Sequence, residues 1–240
     1  MRHFCLFVFL VTAAFAGDLF RDDFSRYPAG WLSTPVGQLN AAIQEYHYLP
    51  NRGVPLGPWA NPINHQDAWI VSDEDGKPYL EQHLMTDWPE WYTALMITGD
   101  EEWSDYTVEA RMKPLSFREP AGLVFRYHTN RHFYQFALVG GNRAILRLRL
   151  PIETEFRRMA WRDLGSVEFN YDTQRYYRLR VVNQGPSIKA YIDGKLVLEA
   201  SDGEIMTGKA GVSASYPARF QDFAVTAADS AISSMKGRIA

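Results

Sequence analysis

The chain has 240 residues with 25 Lys and Arg against 28 Asp and Glu, a net charge of −3. An acidic balance without a nucleic-acid-binding motif argues against a nucleic-acid partner. A single cysteine excludes a disulfide framework and a cysteine-based zinc site.

The first residues, Met1-Arg2-His3, lead into an apolar run over residues 4–15 that closes on Ala14-Phe15-Ala16, a small-x-small site. This three-part pattern predicts a secretory signal over residues 1–16. It is shorter than the ~20 apolar residues of a membrane span, and no second such run follows, so no membrane span is expected. Cys5 falls inside the signal. The mature domain must therefore be held by core burial alone, and its expected location is secreted or periplasmic. No linker, low-complexity tract or repeat divides the rest, which reads as one domain over residues 17–226.

Residues 31–67 are rich in Pro, Gly, Asn and aromatics and carry little periodicity, the mark of a functional or surface-wrapping segment. Beyond them the period is two. In residues 103–113, Tyr106, Val108, Ala110 and Met112 point one way, and Thr107, Glu109, Arg111 and Lys113 the other. Strands are predicted at 121–128 and 133–139, joined by Thr129-Asn130-Arg131-His132, then at 143–150 after Gly140-Gly141-Asn142. Further strands are predicted at 176–183, 187–192, 195–200, 210–216 and 219–226. Asp193-Gly194 marks a type I′ hairpin. Residues 227–240 lose the pattern and read as a helical or linker-like tail. Many short strands between turn signals predict an all-β sandwich or barrel.

Charge is unevenly spread: residues 18–110 sum to −12 and residues 111–200 to +8. Either the fold interleaves the two stretches, or the second forms a cationic face toward an anionic ligand.

Several pieces taken in order resemble the concanavalin A-like lectin/glucanase superfamily, especially laminin-G-like and family-16-like (3-keto-disaccharide hydrolase) domains. They are Asp22-Asp23-Phe24, Tyr106-Thr107-Val108-Glu109-Ala110, Gly122-Leu123-Val124-Phe125-Arg126-Tyr127 and Phe133-Tyr134-Gln135-Phe136. Tyr191-Ile192-Asp193-Gly194-Lys195, Gly208-Lys209-Ala210-Gly211-Val212 and Phe220-Gln221-Asp222-Phe223-Ala224-Val225 complete the set. The resemblance implies a two-sheet antiparallel jelly roll with a concave sugar-binding face. It is specific for fold and poorly specific for function, since such domains include sugar-binding modules, glycosidases, lyases and adhesion modules.

A four-residue loop at 129–132 would set Tyr127 opposite Tyr134 and Arg126 opposite Gln135. Opposite residues share a face, so Leu123, Phe125, Tyr127, Tyr134, Phe136 and Leu138 would be buried. Arg126, His128 and Gln135 would then look into the concave groove, where a guanidinium fork and an amide suit hydroxyls or a carboxylate. Arg147, Arg149, Arg178, Arg180 and Lys189 either extend that face or decorate the convex one. Trp59, Trp88 and Trp91 are candidate sugar-stacking rings, with core or loop packing as the alternative.

The Glu-x-Asp-x-x-Glu and Glu-x-Asp-x-Glu patterns of the superfamily's retaining glucanases are absent from the sequence, so no catalytic residue is assigned. The resemblance also implies a structural Ca²⁺ joining the first strand to the last, for which Asp22, Asp23 and Asp222 are the candidate ligands. The leading functional expectation is a secreted carbohydrate-binding domain, part of a polysaccharide-degrading protein and favouring an acidic glycan. The alternatives are a glycoside hydrolase or uronate-directed lyase using the same groove, and a laminin-G-like adhesion module.

Overall fold

The computed structural model describes residues 16–32, 34, 38–40, 45–47, 58–63, 68–85, 93–118, 120–151 and 159–239. The signal of residues 1–16 therefore lies outside the described residues except for Ala16. The strands are β1 (Ala16–Asp22), β2 (Gly30–Trp31), β3 (Gln38–Asn40), β4 (Glu45–His47), β5 (Trp69–Glu74), β6 (Lys77–Gln82), β7 (Ala94–Thr98), β8 (Tyr106–Pro114) and β9 (Ala121–Thr129). They continue with β10 (His132–Val139), β11 (Arg143–Pro151), β12 (Met159–Glu168), β13 (Tyr177–Gln184), β14 (Ser187–Ile192), β15 (Lys195–Ser201), β16 (Lys209–Ala214) and β17 (Ala218–Ala228), before helix α1 (Asp229–Ile239).

Two antiparallel sheets face each other. One runs β15-β14-β13-β8-β17-β6-β5-β2, with β1 also paired to β17, and the other runs β12-β11-β10-β9-β16-β7. A small β3–β4 pair forms a sheet of its own beside β9. The predicted alternation explains the packing. Tyr106, Val108, Ala110 and Met112 of β8 meet Leu123, Phe125, Tyr134, Phe136, Leu146 and Leu148 of the six-stranded sheet in one apolar core. Burial of such side chains is worth roughly 1.5–3 kcal/mol each, which lets a disulfide-free sandwich stand.

Asp193 and Gly194, with φ of 50° and 81°, turn β14 into β15 as their sequence predicts. At the C-terminal end α1 places Asp229 in its first turn and Lys236 and Arg238 in its last, the charge order that the helix dipole favours. Met235 is buried against the core, and Arg238 hydrogen-bonds Glu102 and Ser104. No helix among the described residues is long and apolar enough to cross a membrane.

The hairpin register differs from the expectation. Thr129 pairs with His132, so the turn has only Asn130 and Arg131 at its tip. The ladder then resumes with Phe125 opposite Tyr134 and Val124 opposite Gln135, leaving Arg126 to His128 in a bulge. Arg126 sits at φ 48°. The chain just before β16 accommodates it through Gly208, at φ 135°, where a Cβ would lie 2.6 Å from the Arg126 carbonyl carbon. A bulge re-aims every side chain within it, so Arg126 and Tyr127 exchange the faces that simple alternation assigns them.

Candidate functional site

The outer face of the six-stranded sheet is divided. On its β7, β16 and β9 side, Leu95, Ile97 and Val124 form a second apolar cluster with Tyr127 and Phe133, and Ala60 and Ile63 pack onto it. Ala60 is stitched to the sheet edge by reciprocal hydrogen bonds with Ile97, at 2.8 and 2.9 Å. This half of the expected groove is filled by the chain itself.

The β10, β11 and β12 side is polar. Gln135, fully buried, donates through Nε2 to Ser213 Oγ at 2.7 Å and accepts through Oε1 from Arg147 Nε at 2.8 Å. The Arg147 guanidinium carbon lies 3.6 Å from the Trp161 ring centroid, and that of Arg149 lies 5.0 Å away. Phe133 meets the same indole edge-on at 5.6 Å. Arg149 is 2% exposed and Arg131, at the neighbouring turn, 6%. Burial first, and then the like charges of Arg147 and Arg131, push the Arg149 guanidinium below its ordinary range. Asp163 stands across the ladder from Arg147. The arrangement sets one half-buried guanidinium fork, Arg147, and two buried ones, Arg149 and Arg131, near an indole, chemistry suited to a carboxylate-bearing ligand.

Of the residues expected here, Gln135 takes its place on this face. Arg126 does not: it is fully buried at the end of the sandwich. Its Nη1 donates to Ile205 O at 2.9 Å and its Nη2 to Gly185 O at 2.6 Å, while its backbone N–H donates to Tyr106 Oη at 2.7 Å. It is a clamp between the sheets, because the bulge turns it inward. His128, also in the bulge, is half-buried and donates from Nε2 to Thr207 O at 3.0 Å. Trp59 is 1% exposed and packs among Phe20, Phe24 and Phe223, so it is a core residue rather than a stacking platform. Trp88 and Trp91 lie outside the described residues. Trp161, Ser213 and Arg131 were not singled out from the sequence. The available signal was Arg147 and Arg149 alternating along one strand, which requires a partner strand to be placed.

Arg178, Arg180 and Lys189 belong to the other sheet. Arg178 approaches Glu109 at 3.8 Å, Arg180 lies over Tyr191, and Lys189 pairs with Glu199 at 3.2 Å. Among the described residues the cationic segment of the sequence is thus split between two sheets, with Arg147, Arg149 and the neighbouring Arg131 on the six-stranded one.

Asp22, Asp23 and Asp222 do border one cleft of 200 Å³, together with Arg21, Glu109, Arg111 and Arg178. Their oxygens are engaged otherwise than a calcium ion requires. Asp22 Oδ2 accepts from Arg26, Tyr27 and Trp59 at 2.8–3.0 Å, and its Oδ1 from the Phe24 amide at 2.8 Å. Asp23 Oδ1 accepts from Ser25, and Asp222 pairs with Lys77 at 2.7 Å and Arg111 at 3.7 Å. Among the described residues no group of three or more His, Cys, Asp or Glu gathers as a metal shell. A Ca²⁺ ion needs 6–8 oxygen ligands, and this cation-lined donor set does not fit it.

Sheet order, pairing and core define an antiparallel two-sheet jelly roll of the concanavalin A-like kind. No family model matches the chain, and no curated protein does. Among solved structures it is similar to the carbohydrate-binding module CBM66 from Bacillus subtilis, with a TM-score of 0.52 and 17% identity over 66% of this chain and 94% of that one. It is also similar to a candidate glycosyl hydrolase from Parabacteroides distasonis, with a TM-score of 0.50 and 10% identity over 74% of this chain and 91% of that one. Likeness at such identities establishes the fold.

Proposed function

We propose that this chain is a carbohydrate-binding jelly-roll domain that takes an acidic glycan on the β10–β12 half of its concave face. The observation that carries the reading is the Arg147–Trp161–Arg149 assembly. Gln135 fixes the Arg147 guanidinium over the indole, and Arg149 is buried beside like charges. A carboxylate meeting the half-buried Arg147 guanidinium would receive charge-assisted hydrogen bonds, which are stronger than those to a neutral hydroxyl. The similar module from Bacillus subtilis, described as carbohydrate-binding, supports the choice of ligand class. The export signal expected in residues 1–16 supports a reading in which this binding takes place outside the cytoplasm, where polysaccharides are met.

The test is affinity electrophoresis or calorimetry of the chain against polygalacturonate and alginate, with xylan and laminarin as neutral counterparts. Acidic polymers should bind more tightly, and the preference should shrink as salt screens the guanidiniums. Salt-independent binding to the neutral polymers alone would remove the acidic preference.

A further inference from the structure

Arg147 is oriented by a neutral group. Strands β10 and β11 alternate in step: Tyr134, Phe136 and Leu138 go to the core with Leu146 and Leu148. Gln135 and Arg147 therefore share the outer face, and they are direct cross-strand partners whose side chains meet. On its other side Gln135 reaches over β9 to Ser213 of β16. Ala137, Gly122 and Ser213 form the next rung of that face. A Cβ on Gly122 would run into Phe136 O, so that position puts no side chain in the amide's path.

Gln135 and Ser213 are fully buried, and their chemistry decides which end of the amide faces which neighbour. A guanidinium only donates, so it must meet Oε1, and Nε2 must then find an acceptor. Ser213 Oγ is that acceptor, at 2.7 Å, while Arg147 Nε donates to Oε1 at 2.8 Å. The serine latches the amide, and the amide holds the guanidinium over Trp161. Arg147 is half-buried where Arg149 and Arg131 are buried, so of the three it has the most surface to offer a ligand.

Elsewhere among the described residues arginines are met by carboxylates. Arg21, Arg26, Arg162, Arg175, Arg219 and Arg238 pair with Asp18, Asp22, Asp202, Asp193, Glu81 and Glu102. A carboxylate holds a guanidinium and cancels its charge. An amide holds it and leaves the charge in place. Asp163, across the ladder from Arg147, is exposed, where solvent screens it.

We propose that Gln135, latched by Ser213, determines the charge specificity of the concave face: it fixes the direction of Arg147 without cancelling its charge, and so selects an anionic sugar over a neutral one. The ligand class rests on the acidic-glycan reading above, while the assignment to Gln135 stands on its own bonds. Glutamate has the same shape. In place of Gln135 it would keep the Arg147 bond, and the Ser213 hydroxyl would turn to donate, but the pair would be neutral.

The experiment compares Gln135→Glu, Gln135→Leu and Ser213→Ala with the wild-type chain. Calorimetry against polygalacturonate at two ionic strengths, with laminarin as the neutral polymer, reads affinity and salt slope. NMR of the ¹⁵N-labelled free chain reads the Arg147 Nε–Hε signal, which the Trp161 ring shifts. Gln135→Glu should keep that signal and lose polygalacturonate affinity about tenfold, with a flatter salt dependence. Gln135→Leu and Ser213→Ala should displace the signal and bind more weakly, but with the wild-type salt slope, because the charge remains. A merely structural role would lower the melting temperatures and leave the salt slope of Gln135→Glu unchanged. Wild-type affinity and slope in Gln135→Glu overturn the assignment alone, provided the wild-type chain prefers polygalacturonate. If Gln135→Glu does not fold, the other two variants decide: weaker binding with a displaced Arg147 signal supports the assignment, and wild-type affinity overturns it. A wild-type chain that binds polygalacturonate no better than laminarin overturns the acidic reading and this assignment together.

Discussion

Arg126 and Arg147 stand two strands apart on the same sheet, and the fold uses them in opposite ways. Arg126 is turned inward by a bulge and its charge is spread over two carbonyl oxygens from separate loops. Arg147 keeps its outward place, is oriented by a side-chain amide and shares its neighbourhood with two further guanidiniums. A buried arginine met by carbonyls ties elements together. An arginine oriented on the outer face by a side-chain amide and an indole is positioned to present its guanidinium to a ligand. Burial alone does not tell these roles apart, because Arg126 and Arg149 are both almost fully buried. The surrounding charge does.

The sharpest way to break the comparison is to exchange the expected outcomes. Arg126→Ala removes the donor to Ile205 O and Gly185 O, leaves buried acceptors unsatisfied and opens space under Tyr134, whose ring centroid lies 5.9 Å from the guanidinium carbon. Denaturant unfolding should show a loss of about 3–5 kcal/mol. Whatever fraction remains folded should bind acidic glycan with wild-type affinity. A variant of normal stability and lost binding would reverse the assignment.

Much of this fold was legible in the sequence because its signals are local. The alternation of β8 is a property of nine consecutive residues, and the Asp193-Gly194 turn needs two. The strands β9 and β10 were legible for the same reason. Their register was not, because the bulge depends on contacts far along the chain: the approach of Gly208 and the carbonyls of Gly185 and Ile205. The site suffered most from that slip, since a shift within the bulge moves Arg126 off the concave face. Gln135 lies beyond the bulge and kept its face. Strand β12 escaped notice, and Trp161 with it. Leu164 and Val167 of that edge strand are only partly buried, which blurs the period-two pattern.

Arg147→Ala is the counterpart at the other site. The side chain is half-buried, and its loss leaves Gln135 Nε2 bonded to Ser213 but takes the donor from the buried Oε1, so stability should fall by about 1 kcal/mol, well short of the Arg126→Ala loss. Affinity for polygalacturonate should fall about tenfold, the worth of one charge-assisted hydrogen bond. The remaining binding should depend less steeply on salt. Calorimetry at two ionic strengths reads both quantities. An unfolded variant, or one with an unchanged salt slope, would place Arg147 in the same structural class as Arg126.

The smallest expected effect concerns pH, and it sharpens the contrast because the Arg126 end carries a partly buried carboxylate, Asp202. Asp202 accepts from Tyr134 Oη at 2.5 Å and pairs with Arg162 at 2.7 Å. Burial works against its charge, but the Tyr134 hydroxyl, the Glu204 amide and Arg162 outweigh it and hold the carboxyl below its usual range. A carboxyl lowered in the folded state contributes stability that is fully present above its unfolded value of about 3.9 and is lost as pH falls through the folded one. Unfolding free energy should therefore fall on acidification below about pH 4. Asp202→Asn should lose about 1 kcal/mol at neutral pH and show a shallower acid limb. Concave-face binding should keep its dependence on the ligand's own carboxylate titration in both proteins, because the guanidiniums there remain charged throughout this range. If Asp202→Asn instead altered the pH profile of glycan binding without altering the acid limb of unfolding, the Arg126 end would be coupled to the binding face. The division of labour between the two arginine sites would then fail.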